Sequence, residues 1–333
     1  MRLRPVGSGF QALTAALAAT LVVASAPAAR AAETETFVPT TIHYPGSTAT
    51  AARGINNRGD IVGTYNCAAA CTNPLTGEVS TAGGHGFLLR DGVYTRIDVP
   101  GGSGTVVRGI GVQGTVVGQY NAAGVTHGFA YSDGNYVFPI DVPAELFDNP
   151  SSPARHTLAV RISPQGDIVG CFHEGTAQMT TMHGWVVRNG EFTALATPQG
   201  QTSRDPDTMN NGIAATGAIV GFYLSDGVSY VADQTGILFT FTLEDDRFTL
   251  AWDVNARGDI VGVVGDNPSM TIGVAVNPRG FLRTAHGDEL RLAVAGASST
   301  QVFGINDRRQ IVGQYTDATG THGFVYRIGS GTQ

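Results

Sequence analysis

Four histidines, His85, His127, His183 and His322, each stand one residue ahead of a glycine and two ahead of an aromatic residue. Imidazole titrates nearest neutral pH and ligates metals, so a ring of such residues could bind a metal or move protons. Equivalent positions of different repeats are held apart by the rotation between them, whereas a zinc set needs donors about 2 Å from one point. Recurrence therefore favours a structural role, with each ring donating to a backbone carbonyl, and ligand binding is the alternative. Residues that break the recurrence answer no architectural demand, and His156, His173, Glu174, His286 and Asp288 are of this kind. His173, Glu174, His286 and Asp288 are the catalytic candidates, as general bases or metal ligands. His173-Glu174 lacks the second histidine of a zinc-protease helix, so its plainer reading is a solvated loop pair. Trp252 stands outside the histidine motif as a possible platform for stacking a sugar.

Several other chemistries are excluded. Gly109-Ile110-Gly111-Val112-Gln113-Gly114 fits the spacing of a dinucleotide loop, but Thr115-Val116-Val117 continues it as a strand where that loop needs a helix. All 20 basic residues are arginine, which removes Schiff-base chemistry and a lysine-bearing phosphate loop. No Gly-x-Ser-x-Gly elbow or His-Glu-x-x-His motif occurs. Glu244-Asp245-Asp246 reads as a solvated turn. Cys67 and Cys71 are expected to form a disulfide that pins a loop, stabilising by about 2 kcal/mol at most. Cys171 reads as a buried, inert thiol. No metal site and no cofactor is expected.

The elements that must position these residues follow from a repeat. Ile61-Val62-Gly63 recurs as Val116-Val117-Gly118, Ile168-Val169-Gly170, Ile219-Val220-Gly221, Ile260-Val261-Gly262 and Ile311-Val312-Gly313, at spacings of 55, 52, 51, 41 and 51 residues. Such a period belongs to propeller blades. Each unit holds β-branched and aromatic runs too short for helices, divided by glycine-rich turns, which gives four strands per unit. Asn56-Asn57-Arg58-Gly59 and its equivalents turn the first strand into the second, with Arg309 replacing the glycine in the last unit. Asp91-Gly92, Asp133-Gly134 and Asn189-Gly190 suit two-residue hairpins between the third and fourth strands.

Residues 40–46 look like a fourth strand that precedes any other, while the last unit stops after a third strand at 323–327. Pairing of these two ends would close a ring and leave no exposed edge. The expected fold is all-β, a β-propeller of six four-stranded blades closed by the N-terminal strand, with five or seven blades as alternatives. The uncertainty lies at 218–283, where 248–255 leaves little room for two strands and 270–277 resembles an extra one.

Arg2 and Arg4, an apolar run at 12–24 and Ala29-Arg30-Ala31 form the pattern of a signal peptide, giving a leader at 1–31 and one propeller domain at 32–333. The run is shorter than the about 20 residues of a membrane span. Removing Arg2, Arg4 and Arg30 from 20 basic residues leaves 17 against 27 acidic, a balance of −10 that opposes nucleic-acid binding. A secreted or periplasmic monomer without a membrane span is expected.

The units Gly54-Ile55-Asn56, Gly59 to Gly63 and His85-Gly86-Phe87, matched in the last repeat by Gly304-Ile305-Asn306, Ile311 to Gly313 and His322-Gly323-Phe324, resemble the bacterial extracellular repeats called HAF. The fourth unit departs, with Thr235-Gly236-Ile237 in the place of the histidine motif, and the fifth has Arg279-Gly280-Phe281. The resemblance implies a secreted bacterial protein with no established common activity. The leading expectation is a non-enzymatic module that binds an extracellular glycan or protein through loops on one rim. The alternatives are a propeller glycoside hydrolase or polysaccharide lyase, and a purely structural repeat.

Overall fold

Each Ile-Val-Gly segment lies in the second strand of an antiparallel hairpin. The hairpins pair Ala49–Ile55 with Ile61–Cys67, Ser103–Ile110 with Val116–Ala122, Arg155–Ile162 with Ile168–Glu174, Thr208–Ile213 with Ile219–Tyr223, Phe248–Val254 with Ile260–Asp266, and Ser299–Ile305 with Gln310–Asp317. The glycine is required because the neighbouring first strand comes too close for a side chain. A Cβ on Gly63 would sit 2.0 Å from the Ala51 carbonyl oxygen, and on Gly170 1.8 Å from that of Leu158. Every one of these hairpins carries a register shift at the same place, leaving Arg53, Arg108, Val160, Asn211, Trp252 and Phe303 as the extra, bulged residues. The computed structural model describes residues 33–147, 155–174, 182–195, 208–224, 227–243, 248–266 and 276–329. The chain divides into Met1–Ala31, outside the described residues, and Ala32–Gln333.

Third strands follow at Gly83–Arg90, Val125–Ser132, Met182–Arg188, Val228–Asp233, Val276–Arg283 and Gly320–Arg327, and fourth strands at Val93–Ile97, Asn135–Ile140, Glu191–Ala194, Gly236–Phe241 and Glu289–Val294. The expected two-residue hairpins are present, with positive φ at both centres: 50° and 78° at Asp91-Gly92, 48° and 87° at Asp133-Gly134, 51° and 82° at Asn189-Gly190. Arg309 also has a positive φ, 55°, where the other first turns use glycine.

The leading strand Thr40–Ile42 pairs antiparallel with the last third strand, Thr40 opposite Val325 and Ile42 opposite Gly323. A second N-terminal strand, Glu33–Phe37, lies parallel to Glu289–Val294, which the sequence did not announce. Among the described residues the fold is an all-β propeller, but its backbone pairing does not draw six separate blades. Five sheets stand alone, three of four strands, one of five and the small pair Cys71–Thr72 with Val79–Ser80, while the first and last units share a single eight-stranded sheet. They merge because Gly320–Arg327 meets Ala49–Ile55 in a parallel contact at Thr321 and Ala49.

Two expectations for the irregular region are corrected. The histidine motif of the fourth unit is replaced by Val228-Ser229-Tyr230, since Tyr230 opposes Gly221 as Phe87 opposes Gly63. Thr235-Gly236-Ile237 belongs to the following turn and fourth strand. The second and third strands, Ile219–Tyr223 and Val228–Asp233, are shorter than their counterparts, and Gly236–Phe241 and Phe248–Val254 both have room. The extra strand expected at 270–277 overlaps the third strand Val276–Arg283, and 270–275 lie outside the described residues.

The core sits between consecutive units. Val62 and Leu88 meet Val107 and Phe129, Val117 meets Ala159 and Trp185, and Val169 and Val186 meet Ile219 and Tyr230. Val220 meets Ala251 and Phe281, Val261 and Leu282 meet Val302 and Phe324, and Val312 meets Ala52 and Phe87. A buried threonine that opens each first strand fastens these interfaces. Thr50, Thr105, Thr157, Thr208, Thr249 and Thr300 accept from the backbone N–H of Tyr44, Val99, Val142, Gly184, Leu243 and Val294 at 2.9 to 3.1 Å. Each stands eleven residues ahead of its Ile-Val-Gly motif, a signal present in the sequence.

Candidate functional site

The recurrent histidines take local partners at the entry to their third strands. His85 Nδ1 lies 2.8 Å from Asp98 and its Nε2 2.9 Å from the Thr81 carbonyl; His127 Nδ1 lies 2.9 Å from Asp141. Both acids come from the fourth strand's Ile-Asp-Val-Pro ending. In the closing sheet that ending reads Ile42-His43-Tyr44-Pro45, so His322 faces His43, with ring centroids 5.5 Å apart. His322 instead meets Thr319 at 2.9 Å and Asp317 at 3.6 Å. His183 stacks on Phe172 at 5.1 Å. The four rings are thus each engaged within their own unit, and no group of three or more metal-ligating side chains is found among the described residues.

The functional geometry lies on the axis, where the bulged residues converge. The Arg53 guanidinium rests 4.4 Å above the Phe303 ring, and Phe303 meets Trp252 edge-on at 5.4 Å. Arg108 donates to Gln119 at 2.7 Å. One residue further along, four units carry Gly54, Gly109, Gly212 and Gly304 so that neighbouring first strands can touch; a Cβ on Gly109 would lie 2.7 Å from the Val160 carbonyl oxygen. The third and fifth units carry Arg161 and Asp253 at that place instead, and these pair across the axis, Nε to Oδ1 at 3.1 Å. Arg161 also donates to the carbonyls of Arg53, at 3.1 Å, Arg108 and Phe303. Asp253 accepts from the backbone N–H of Val254 and Ile305. This plug lines a cavity of ≈ 80 Å³ on the turn side, beside Asn56 and Asn306; a second cavity of ≈ 290 Å³, among the first, second and last units, is lined by Arg53, Thr64, Asn66, Val106, Gln314 and Thr321.

The axis is electrostatically unbalanced. Burial pulls the Arg53 guanidinium down to about 9, and the charges of Arg108 and Arg161 add to the effect. Burial lowers Arg108 too, with Cys171 opposing and Arg161 reinforcing. Burial pushes the Asp253 carboxyl up, against the pull of Arg161 and of the two amides. Arg53 is half-buried by exposed area, its open surface facing the cavity it lines.

The remaining sequence candidates scatter. His173 stands opposite His156 on adjacent strands, their rings stacked at 4.8 Å, and His156 Nδ1 accepts from the Thr126 backbone N–H. Burial, then the neighbouring His156, brings His173 down to about 4, so it is neutral at pH 7. Glu174 ends the same strand; its side chain is outside the described residues. His286 and Asp288 lie far from these on the turn side, in a groove of ≈ 930 Å³ with Arg257, Arg308, Arg309 and Arg327, where Asp288 accepts from Thr284 at 3.1 Å. Trp252, offered as a sugar platform, is a member of the axial ring. Cys67 and Cys71 are disulfide-bonded. Cys171 is buried, which pushes its thiol up to about 12. Sequence reasoning missed Arg53, Arg108, Arg161 and Asp253. A signal existed, for Arg53 and Arg108 stand eight residues ahead of the Ile-Val-Gly motif, and Arg161 and Asp253 stand seven ahead of it, where the other four units carry glycine.

No family model matches the chain, and no curated protein does. Among solved structures it is similar to a catalytically inactive virginiamycin B lyase from Staphylococcus aureus with quinupristin, at 12% identity and TM-score 0.43, covering 87% of this chain and 98% of that one. It is also similar to a gluconolactonase from Xanthomonas campestris, at 11% identity and TM-score 0.44, covering 91% and 99%. The β-propeller domain of the Trilobed protease from Pyrococcus furiosus matches at 7% identity and TM-score 0.44, covering 85% and 94%.

Proposed function

We propose that this chain is a secreted, non-enzymatic binding module of the HAF-repeat kind, which takes an extracellular ligand at the loop-side mouth of its axis. The eight-stranded sheet counts as two blades in this reading, making six. The observation that carries it is the ≈ 290 Å³ cavity beside Arg53, walled by Thr64, Asn66 and Gln314. A cationic side chain among neutral donors and acceptors at a concave surface holds a polar ligand in one place. The Cys67–Cys71 disulfide is compatible with an oxidising compartment. The runner-up, a hydrolase or lyase acting on extracellular carbohydrate, draws on His286 and Asp288 in the turn-side groove of ≈ 930 Å³. Screening the purified protein against neutral and acidic extracellular glycans, with binding and product release followed together, separates the two. Saturable binding without turnover is expected. Steady product release overturns the proposal in favour of the enzyme, and failure to bind any glycan removes both readings.

A further inference from the structure

In the ring of bulged residues Arg53 Nε and Trp252 Nε1 are shielded donors without a hydrogen-bond acceptor. Neither Arg53 nor Arg108 meets a carboxylate among the described residues, because the one acid beside them, Asp253, is held by Arg161 and by two backbone amides. Both arginines are half-buried cations without a counter-charge, and shielded groups left unpaired call for an ion, a water or a ligand. The repulsion from Arg108 and Arg161, which helps lower Arg53 to about 9, is the same deficit seen from the other side.

The cavity next to Arg53 supplies the rest of a recognition site. Thr64, Asn66, Gln314 and Thr321 line it with neutral donors and acceptors, and Ala51 and Val106 add apolar surface. Its ≈ 290 Å³ sits at the small end of ligand pockets, about 300 to 1,000 Å³, which suits one sugar-sized unit rather than a chain. We infer that this cavity binds a small hydroxylated carboxylic acid of the hexuronate class, its carboxylate held by the Arg53 guanidinium and its hydroxyls by Thr64, Asn66 and Gln314. A guanidinium offers two parallel N–H donors to a carboxylate, a match that a neutral sugar does not make. The inference rests on the binding reading above and specifies its ligand. The acid can be free or can end a glycan.

The test is titration calorimetry and thermal melting of the purified protein with glucuronate, with an oligosaccharide ending in glucuronate, with glucose and with inorganic phosphate. Glucuronate is expected to bind at least about tenfold more tightly than glucose or phosphate. Binding of the free acid alone, or of the chain end as well, tells which source the site serves, and either result upholds the inference. Arg53→Gln should abolish the glucuronate-induced rise in Tm while raising the Tm of the empty protein, since it removes an unpaired charge. Gln314→Ala, which leaves that charge in place, should weaken glucuronate without the rise, and it serves if Arg53→Gln fails to fold. Unchanged glucuronate affinity in both variants overturns the inference. Equal affinity for glucose and glucuronate overturns it as well and leaves the binding module standing; absence of all glycan binding removes the module itself.

Discussion

The two halves of the propeller treat the axis differently. Toward it, the first, second and last units direct Arg53, Arg108, Gln119 and Gln314 from their first and second strands, and these leave a cavity. The third, fourth and fifth units place Leu158, Val160, Cys171, Met209, Phe222 and Leu250 at corresponding depths, and these pack into one continuous apolar cluster, with Trp252 against it. The outer parts of the two halves are alike, with the same threonine latch at every interface. Residues that a repeat needs in order to stack are thus constant around the ring, and freedom to diverge is concentrated where first strands face the axis. One half has used that freedom to fill space and the other to leave a polar hollow.

Arg161 joins the halves, since it stands in the third unit, pairs with the fifth and donates to carbonyls of the first, second and last. Arg161→Ala strands Asp253 and three carbonyls, and a loss of about 3 to 5 kcal/mol is expected in denaturant unfolding. The double variant Arg161→Gly with Asp253→Gly restores the glycine that four other units carry and should lose less than Arg161→Ala alone. A silent Arg161→Ala would mean that the halves hold together without the plug.

Acid should act on the third unit first. His173 is held at about 4 in the folded chain, against about 6.5 for an ordinary histidine. Above pH 6.5 it is neutral in both states and contributes no pH dependence. As pH falls from 6.5 to 4 the unfolded chain takes up a proton that the folded one refuses, so stability declines, by about 3 kcal/mol in all, and levels off below pH 4. His173→Gln should flatten that stretch of the stability profile; an unchanged slope would place the acid sensitivity elsewhere.

The smallest effect is expected in the regular half. His43 occupies the place of Asp98 and Asp141, its Nε2 3.0 Å from the Ser47 carbonyl and its Nδ1 without a partner. His43→Asp would give His322 the acidic partner that His85 and His127 already have. A gain of up to about 1 kcal/mol near pH 6 is expected, fading at pH 9, as read by thermal melts. A loss at both pH values would show that the two imidazoles suit each other better than the regular pair.

Local chemistry made the periphery legible. Asp91-Gly92 and its counterparts could turn only one way, the Cys67–Cys71 pair needed no knowledge of the fold, and the unmatched strand at 40–46 had its complement in the unmatched third strand at the other end. The axis was not legible, because each bulge breaks the alternation from which inward and outward faces are read. Val160 and Arg161 look like two residues of one strand, yet one joins the apolar cluster and the other reaches across the ring. The fourth unit misled because its short second and third strands let Thr235-Gly236-Ile237 fall where the histidine motif falls elsewhere. The candidate site failed for the opposite reason to the repeat: its residues share neither type nor neighbourhood, only a position.

The closing strand Thr40–Ile42 also sets an order of events. It is made before every other strand of its sheet, and its partner, Gly320–Arg327, is made last. Until then the first-made strand must remain an open edge, able to pair with a strand of another copy, and any chain interrupted late in synthesis keeps that edge exposed. Completion of that sheet therefore waits on its last-made strand, however early the other seven are in place.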